Sequence, residues 1–356
     1  MKRVGVVGAG LFGCTAAIHL ARAGHEVHLF ERSGELLGAA SGINHFRLHE
    51  GYHYPRSPET VAECIAGLAS FRAEYGEAVI DVGRQHYAIA KEGSRTSAIG
   101  FLAFCARHGL HFEKVDADWF LDPTSIALAV RVREGRIDLH RLRNIVAWRL
   151  DDAGVHIHGR AADAALRDEF DRIVIAAYAS TNEIGSELGA SPEPFQFEVV
   201  EKLMLRLPDQ FRDASVVVMD GEFCGIDPFG RTGLHVMGHV TRNIHATNTG
   251  FRAEVPKHLR DCLNCGMVVK PEHTRFREMV SDGQRFIPAL AQAEHVGSMY
   301  TVRTVLPHRD HDDARPTLVT QLDEKVFRVF SGKLGTAVDA AREIVSMIGV
   351  EKREAA

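Results

Sequence analysis

Three histidines recur every four residues, His45, His49 and His53, inside a stretch that also holds Arg47, Tyr52, Tyr54 and Arg56. A neutral imidazole takes up a proton near pH 7, so His49 is read as a candidate catalytic base. Tyr52 can donate its hydroxyl, and Tyr54 and His53 can bracket a small substrate. Arg47, Arg56 and the distant Arg303 carry the planar fork that grips a carboxylate or phosphate, and Arg303 counts with His49 and Tyr52 as a catalytic candidate. On a helix the three imidazoles would share one face and suggest a metal. Gly42, Gly51 and Pro55 argue against a helix, and no carboxylate stands at ligand spacing, so no metal is expected. The alternative for the histidines is hydrogen bonding within the loop; for each arginine it is a surface ion pair.

A second chemistry is written at the N-terminus. Gly8-Ala9-Gly10-Leu11-Phe12-Gly13 is a complete G-x-G-x-x-G between an apolar strand (residues 4–7) and a helix (11–23). Gly8 permits a tight turn, Gly10 lets a pyrophosphate approach the backbone, and Gly13 lets the helix lie close to the strand. A second strand (26–31) ends in Glu31-Arg32, where the carboxylate suits ribose hydroxyls.

These residues need elements to hold them. Periodicity predicts helices at 58–75, 97–108, 137–148, 282–293 and 334–348, with a turn at Arg133-Glu134-Gly135. Strands are expected at 155–158, 170–177, 197–207, 215–219, 234–240, 300–306 and 326–330. Residues 38–56 read as irregular. The fold class is therefore α/β: a Rossmann-type nucleotide domain with a second, mainly antiparallel α+β substrate domain. The boundaries are drawn at 1–80, 130–185 and 300–350 for the first and at 81–129 and 186–299 for the second.

At 356 residues, 45% apolar and net charge −5, the chain is ordinary and globular in composition. It lacks the basic footprint of a nucleic-acid partner and any run long enough to span a membrane. Met1-Lys2-Arg3-Val4 enters a strand at once, and the six cysteines are scattered, which together read as cytoplasmic. Cys262 and Cys265 are taken as ordinary cysteines. His308 to Asp313 is read as a solvated charged loop and residues 352–356 as a frayed tail.

NAD and FAD both fit the fingerprint. FAD is favoured because no second domain of NAD-dehydrogenase type follows, and because Gly332-Lys333-Leu334-Gly335-Thr336 opens the last helix. Such a turn aims backbone N–H groups at the negative charge of a reduced flavin.

With these residues in view, the chain resembles the FAD-dependent D-amino-acid oxidase and glycerol-3-phosphate dehydrogenase superfamily. The likeness rests on residues 8–32, on Asp171-Arg172-Ile173-Val174-Ile175-Ala176-Ala177, and on the 330–336 turn. Locally, Ser41-Gly42-Ile43-Asn44 with His49, Gly51 and Tyr54 is similar to a stretch of L-2-hydroxyglutarate dehydrogenases. There the matching histidine lies at the flavin beside the substrate. The resemblance implies flavin contacts from Ala40, Ser41, Asn44, Ala176 and Ala177, besides the two glycine-rich turns. It implies oxidation of a CH–OH or CH–NH group of a small polar substrate by hydride transfer to the flavin. Arg47, Glu50 and His53 depart from the hydroxyglutarate pattern and leave the substrate open. The electron acceptor stays open as well, O2 among the options. So does covalent flavin attachment through this segment. A non-redox flavoenzyme, such as a sugar-nucleotide mutase, is the alternative class.

Overall fold

The computed structural model describes residues 1–81, 83–116, 119–309 and 314–349. The end of the charged loop and the expected frayed tail lie outside the described residues.

The nucleotide unit forms as its sequence pattern requires. Strand Arg3–Val7 runs into helix Leu11–Arg22, and strand Glu26–Phe30 returns parallel beside it, Val4 opposite Val27. Strand Arg172–Ile175 takes the other flank, and Val326–Phe330 follows, both parallel. His156–His158 and the antiparallel Leu318–Gln321 close the edges of this six-stranded sheet. Its four inner strands are mostly apolar and buried on both faces. Val4, Val6 and Leu29 pack with Ala17 and Leu20 of the first helix and with Val338 and Ile344 of the last.

A ten-stranded sheet forms the second layer. Its spine is Phe195–Arg206, antiparallel to Glu294–Val305 on one side and to His235–His239 and Ile244–Gly250 on the other. One pair, Ala214–Met219 with Arg84–Ala90, is parallel. Residues 300–305, grouped by sequence with the nucleotide unit, therefore belong by pairing to this second sheet.

A three-stranded sheet joins the layers. Arg47–Leu48 and Val79–Ile80 both pair antiparallel with Gly135–Ile137. This pins an otherwise irregular segment. Leu48 stands opposite Gly135, which brings Glu134 next to His49.

Some elements differ from expectation. The helix anticipated at 282–293 is instead Phe276–Gln284, followed by a 3-10 helix at Pro288–Gln292. Pro288 has no N–H to extend an α-helix and biases Ile287 to extended backbone, which is seen at φ −126 and ψ 83. The helix expected at 137–148 is Leu139–Asp152, because Asp138 caps Arg141 N and residues 135–137 are strand. The last helix begins at Ala337, after a 3-10 turn at Leu334–Thr336. Helix Pro58–Tyr75 falls where periodicity placed it, capped by Ser57. No described helix is long and apolar enough to cross a membrane.

Candidate active site

A cavity of about 560 Å³ runs from Glu31 past Gly8 and Gly10 to His49 and Lys333. Its first wall is the glycine-rich turn. Gly8 adopts φ +101, and a Cβ there would lie 2.7 Å from the Ala176 carbonyl oxygen. Glu31 Oε2 accepts from Ala9 N at 3.0 Å, and its Oε1 accepts from Ser33 N and Ser33 Oγ. The carboxylate thus holds the turn as well as facing the cavity. Phe12, Arg32, Ala40, Ser41, Asn44, Ala176 and Ala177 line the same stretch, and Gly332, Lys333 and Leu334 line its far end.

Four expected cofactor residues of the two glycine-rich turns do not line the cavity, Gly13 among them in the packing place its type suggested. Leu11 does not line the cavity, and its N–H is taken by Ser41 Oγ at 3.0 Å. Gly13 serves packing: a Cβ there would stand 1.9 Å from Gly8 O. Gly335 abuts Gly67, whose own Cβ would come 2.7 Å from Gly335 O. Thr336 Oγ1 bonds Thr317 Oγ1 and the Lys333 carbonyl.

Asn44 shapes the next segment. Its Nδ2 donates to the Ala40 and Ser41 carbonyls, and its Oδ1 accepts from Phe46 N at 2.6 Å. Phe46 is held at φ 53, a backbone region costly for a bulky residue. Strain stored beside a cavity marks a segment placed with care.

His49, His53 and Tyr54 line the cavity together, with ring centroids of His49 5.5 Å from His53 and 5.6 Å from Tyr54. Lys333 Nζ stands 4.5 Å from the Tyr54 ring centroid. Tyr52, expected here as a catalytic hydroxyl, is not among them. It is buried with its hydroxyl donated to the His111 carbonyl at 2.6 Å. It directly precedes His53, yet of the two only His53 lines the cavity.

Arg47 reaches the cavity wall but is no open clamp. Its guanidinium contacts Asp227 Oδ1 at 2.7 Å, Ser215 Oγ at 2.6 Å and Glu134 Oε2 at 3.5 Å. Arg303 also lines the cavity and is paired with Glu198, its cross-strand neighbour. Arg56 grips Asp220 with two nitrogens, at 2.8 and 3.2 Å.

Sequence reasoning missed Glu134, Asp227 and Lys202. Glu134 was read as part of a turn, yet it is fully buried in its side chain. Its Oε1 lies 3.4 Å from His49 Nδ1, and its Oε2 accepts from Tyr87 Oη at 2.7 Å. Asp227 faces His45 Nδ1 at 2.7 Å. Lys202 lies mid-strand on the face of Val200, and period-two alternation could have flagged it as an inward lysine.

Burial dominates the electrostatics. It pushes His49 below its ordinary value, and Glu134 pulls only part of the way back. Burial, then the charge of Lys202, lowers His45 to about 4 against the pull of Asp227. Burial and then Arg303 bring Lys202 down to about 7. For Asp227 burial opposes ionisation, but Arg47 and then His45 outweigh it and hold the carboxyl well below its usual range. At neutral pH both imidazoles are therefore uncharged beside ionised carboxylates.

The sequence matches the DAO family, described as FAD dependent oxidoreductase, across residues 3–317. The chain belongs to this family. It is 27% identical to FAD-dependent monooxygenase kojA of Aspergillus flavus, over 97% of this chain and 85% of that protein. It is 25% identical to FAD-dependent monooxygenase FPY4 of Fusarium mangiferae, over 98% and 91%. Glycine oxidase from Geobacillus kaustophilus shares the fold at TM-score 0.72 and 17% identity, covering 98% of this chain and 95% of that one. L-alpha-glycerophosphate oxidase from Mycoplasma pneumoniae, solved with FAD bound, does so at TM-score 0.73, 15% identity and the same coverage. This FAD-dependent oxidoreductase thus has the α/β architecture of its family, with FAD as cofactor.

Its residues fit that cofactor. Gly8 and Gly10 line the cavity with bare backbone, which suits a pyrophosphate, and the Glu31 carboxylate on the same wall would hold the ribose. Buried polar atoms without a hydrogen-bond partner among the described residues recur along the cavity: His49 Nδ1, His53 Nδ1, Asn243 Oδ1 and Thr304 Oγ1. Such groups are costly unless a ligand or water meets them.

Proposed function

We propose that this enzyme oxidises a CH–OH or CH–NH group of a small polar substrate, with His49 taking the proton from oxygen or nitrogen. The observation that carries this is the Glu134–His49 pair at the cavity. At 3.4 Å, without a formed hydrogen bond, the Glu134 charge favours a proton on Nδ1, which leaves Nε2 as the basic nitrogen. Bound FAD supplies the two-electron acceptor, so that the carbon gives up a hydride and C–OH becomes C=O. Glu134 fixes the ring, and Arg47 and Tyr87 fix Glu134. The covered cavity keeps the imidazole neutral and ready to accept. The names of relatives and fold neighbours, monooxygenases and oxidases, support O2 as the electron acceptor.

His49→Ala should slow anaerobic flavin reduction by roughly 10²–10⁴-fold at unchanged FAD content, the range of a general base. The wild-type rate should be level at neutral pH and fall on acidification, with a midpoint below the ordinary histidine value, since only the neutral ring accepts. Stopped-flow reduction across pH reads both. A variant as fast as wild type removes His49 from the role.

A further inference from the structure

Gly238, in strand His235–His239, opens on the cavity. A Cβ there would lie 2.5 Å from His45 Nε2 and 2.7 Å from Lys202 Nζ. Because Gly238 has no side chain, an imidazole nitrogen and an amine nitrogen both close in over its Cα and stand side by side, and both residues line the cavity.

The two nitrogens present opposite hydrogen-bonding character. Asp227, with no exposure, faces His45 Nδ1 at 2.7 Å and is itself fixed by Ser215 Oγ at 2.5 Å and Arg47 at 2.7 Å. The carboxylate draws the ring proton to Nδ1, so Nε2 offers a lone pair. Lys202 offers N–H donors. A donor beside an acceptor is the complement of a hydroxyl, which needs both.

The wider site repeats this logic. His49 is a second imidazole with a carboxylate on its Nδ1 side, Glu134 at 3.4 Å in a looser contact than the hydrogen bond of His45 to Asp227, and the single guanidinium of Arg47 spans the two carboxylates. Of the cations acting on this pair, Arg47 is committed to Asp227 and Arg303 to Glu198, while Lys333 lies over the Tyr54 ring. A substrate carboxylate would have no proton to give either imidazole.

We propose that the substrate is a neutral polyhydroxy compound of the sugar or cyclitol type. The hydroxyl on the oxidised carbon faces His49. A second hydroxyl bridges the two nitrogens from the cavity side, donating to His45 Nε2 and accepting from Lys202 Nζ. This assignment rests on the oxidation reading above and names its substrate class.

The test is calorimetric titration of the FAD-loaded enzyme with D-glucose, its monodeoxy derivatives and myo-inositol, against L-lactate, D-glycerate and D-alanine. Neutral polyols should bind, and removing one particular hydroxyl should weaken binding by about 10- to 100-fold, as for a hydrogen bond to a charged group. In Lys202→Met that same deoxygenation should cost nothing further, while deoxygenation elsewhere keeps its wild-type effect. If Lys202→Met loses FAD, the wild-type deoxy series still decides between a placed hydroxyl and none. Failure of every polyol to bind, tighter binding of the carboxylates, or a deoxygenation loss unchanged in Lys202→Met overturns the proposal. Polyols that bind with this pattern yet leave the flavin oxidised without air would uphold the substrate class and refute the oxidation reading. Carboxylates that bind and bleach the flavin would do the reverse.

Discussion

Glu134 and Glu50 lie close together beside His49, with Glu50 N donating to Glu134 Oε1 at 3.1 Å, and Glu134 is the better compensated of the two. Glu134 has His49, Arg47 and the Tyr87 hydroxyl around it; burial disfavours its charge, but His49 and then Arg47 outweigh that and keep it ionised. Glu50 has Arg72 at 3.9 Å and the charge of Glu134 nearby, so burial and then Glu134 push it up to about 7. A folded-state value raised above the unfolded one means the native state holds its proton longer. Stability from this group is present below pH 4.5 and is lost as pH rises through 7. Glu50→Gln should therefore stabilise the protein at pH 8 by about 1–2 kcal/mol after allowance for solvent screening, with the gain vanishing toward pH 4.5. Denaturant titration at several pH values checks this, and a gain independent of pH would contradict it. His49 was legible in the sequence from its spacing to Asn44 and Gly51. Its partner was not, because Glu134 is 85 residues away along the chain and sits in an ordinary Arg-Glu-Gly turn. Only the pairing of Leu48 with Gly135 brings the two together. Arg47 was misread as a substrate clamp for the same reason: its carboxylates arrive from Glu134 and Asp227, beyond local pattern.

Among the elements, the strand–turn–helix at the N-terminus was the most legible, since glycine spacing, strand and helix all agree over residues 3–22. Gly13 is its tightest point. Because a Cβ there would meet backbone, Gly8 O at 1.9 Å, no side-chain adjustment relieves it. Gly13→Ala should lose FAD on purification and lower the thermal midpoint. Gly76→Ala, with open space around its Cβ and right-handed helical backbone at φ −55, should match wild type in both. Full FAD retention by Gly13→Ala would show that helix and strand approach less closely. Strands Arg84–Ala90, Ile126–Val132 and Ile244–Gly250 were not legible. Each is held by long-range partners, and the polar Ile244–Gly250 lacks an apolar face to announce it. The helix near residue 282 was legible as an element but misplaced, because Pro288 ends the α-helix that apolar spacing would have continued.

Across the whole molecule, the six-stranded nucleotide layer and the ten-stranded sheet enclose one cavity, and the three-stranded sheet carries the histidine segment into it. Composition and element order made both layers legible; the docking that matches Lys202 to His45 and Glu134 to His49 depends on tertiary contacts that no local window contains. The account stands or falls on electron transfer from a substrate carbon to the cofactor. Anaerobic titration of the purified yellow enzyme with hydroxy and amino compounds, followed through the visible flavin band, measures this directly. The predicted result is bleaching by at least one CH–OH or CH–NH compound, with the band restored when air is admitted. A flavin that stays oxidised while compounds perturb its spectrum by binding would contradict oxidation and favour a non-redox use of the cofactor.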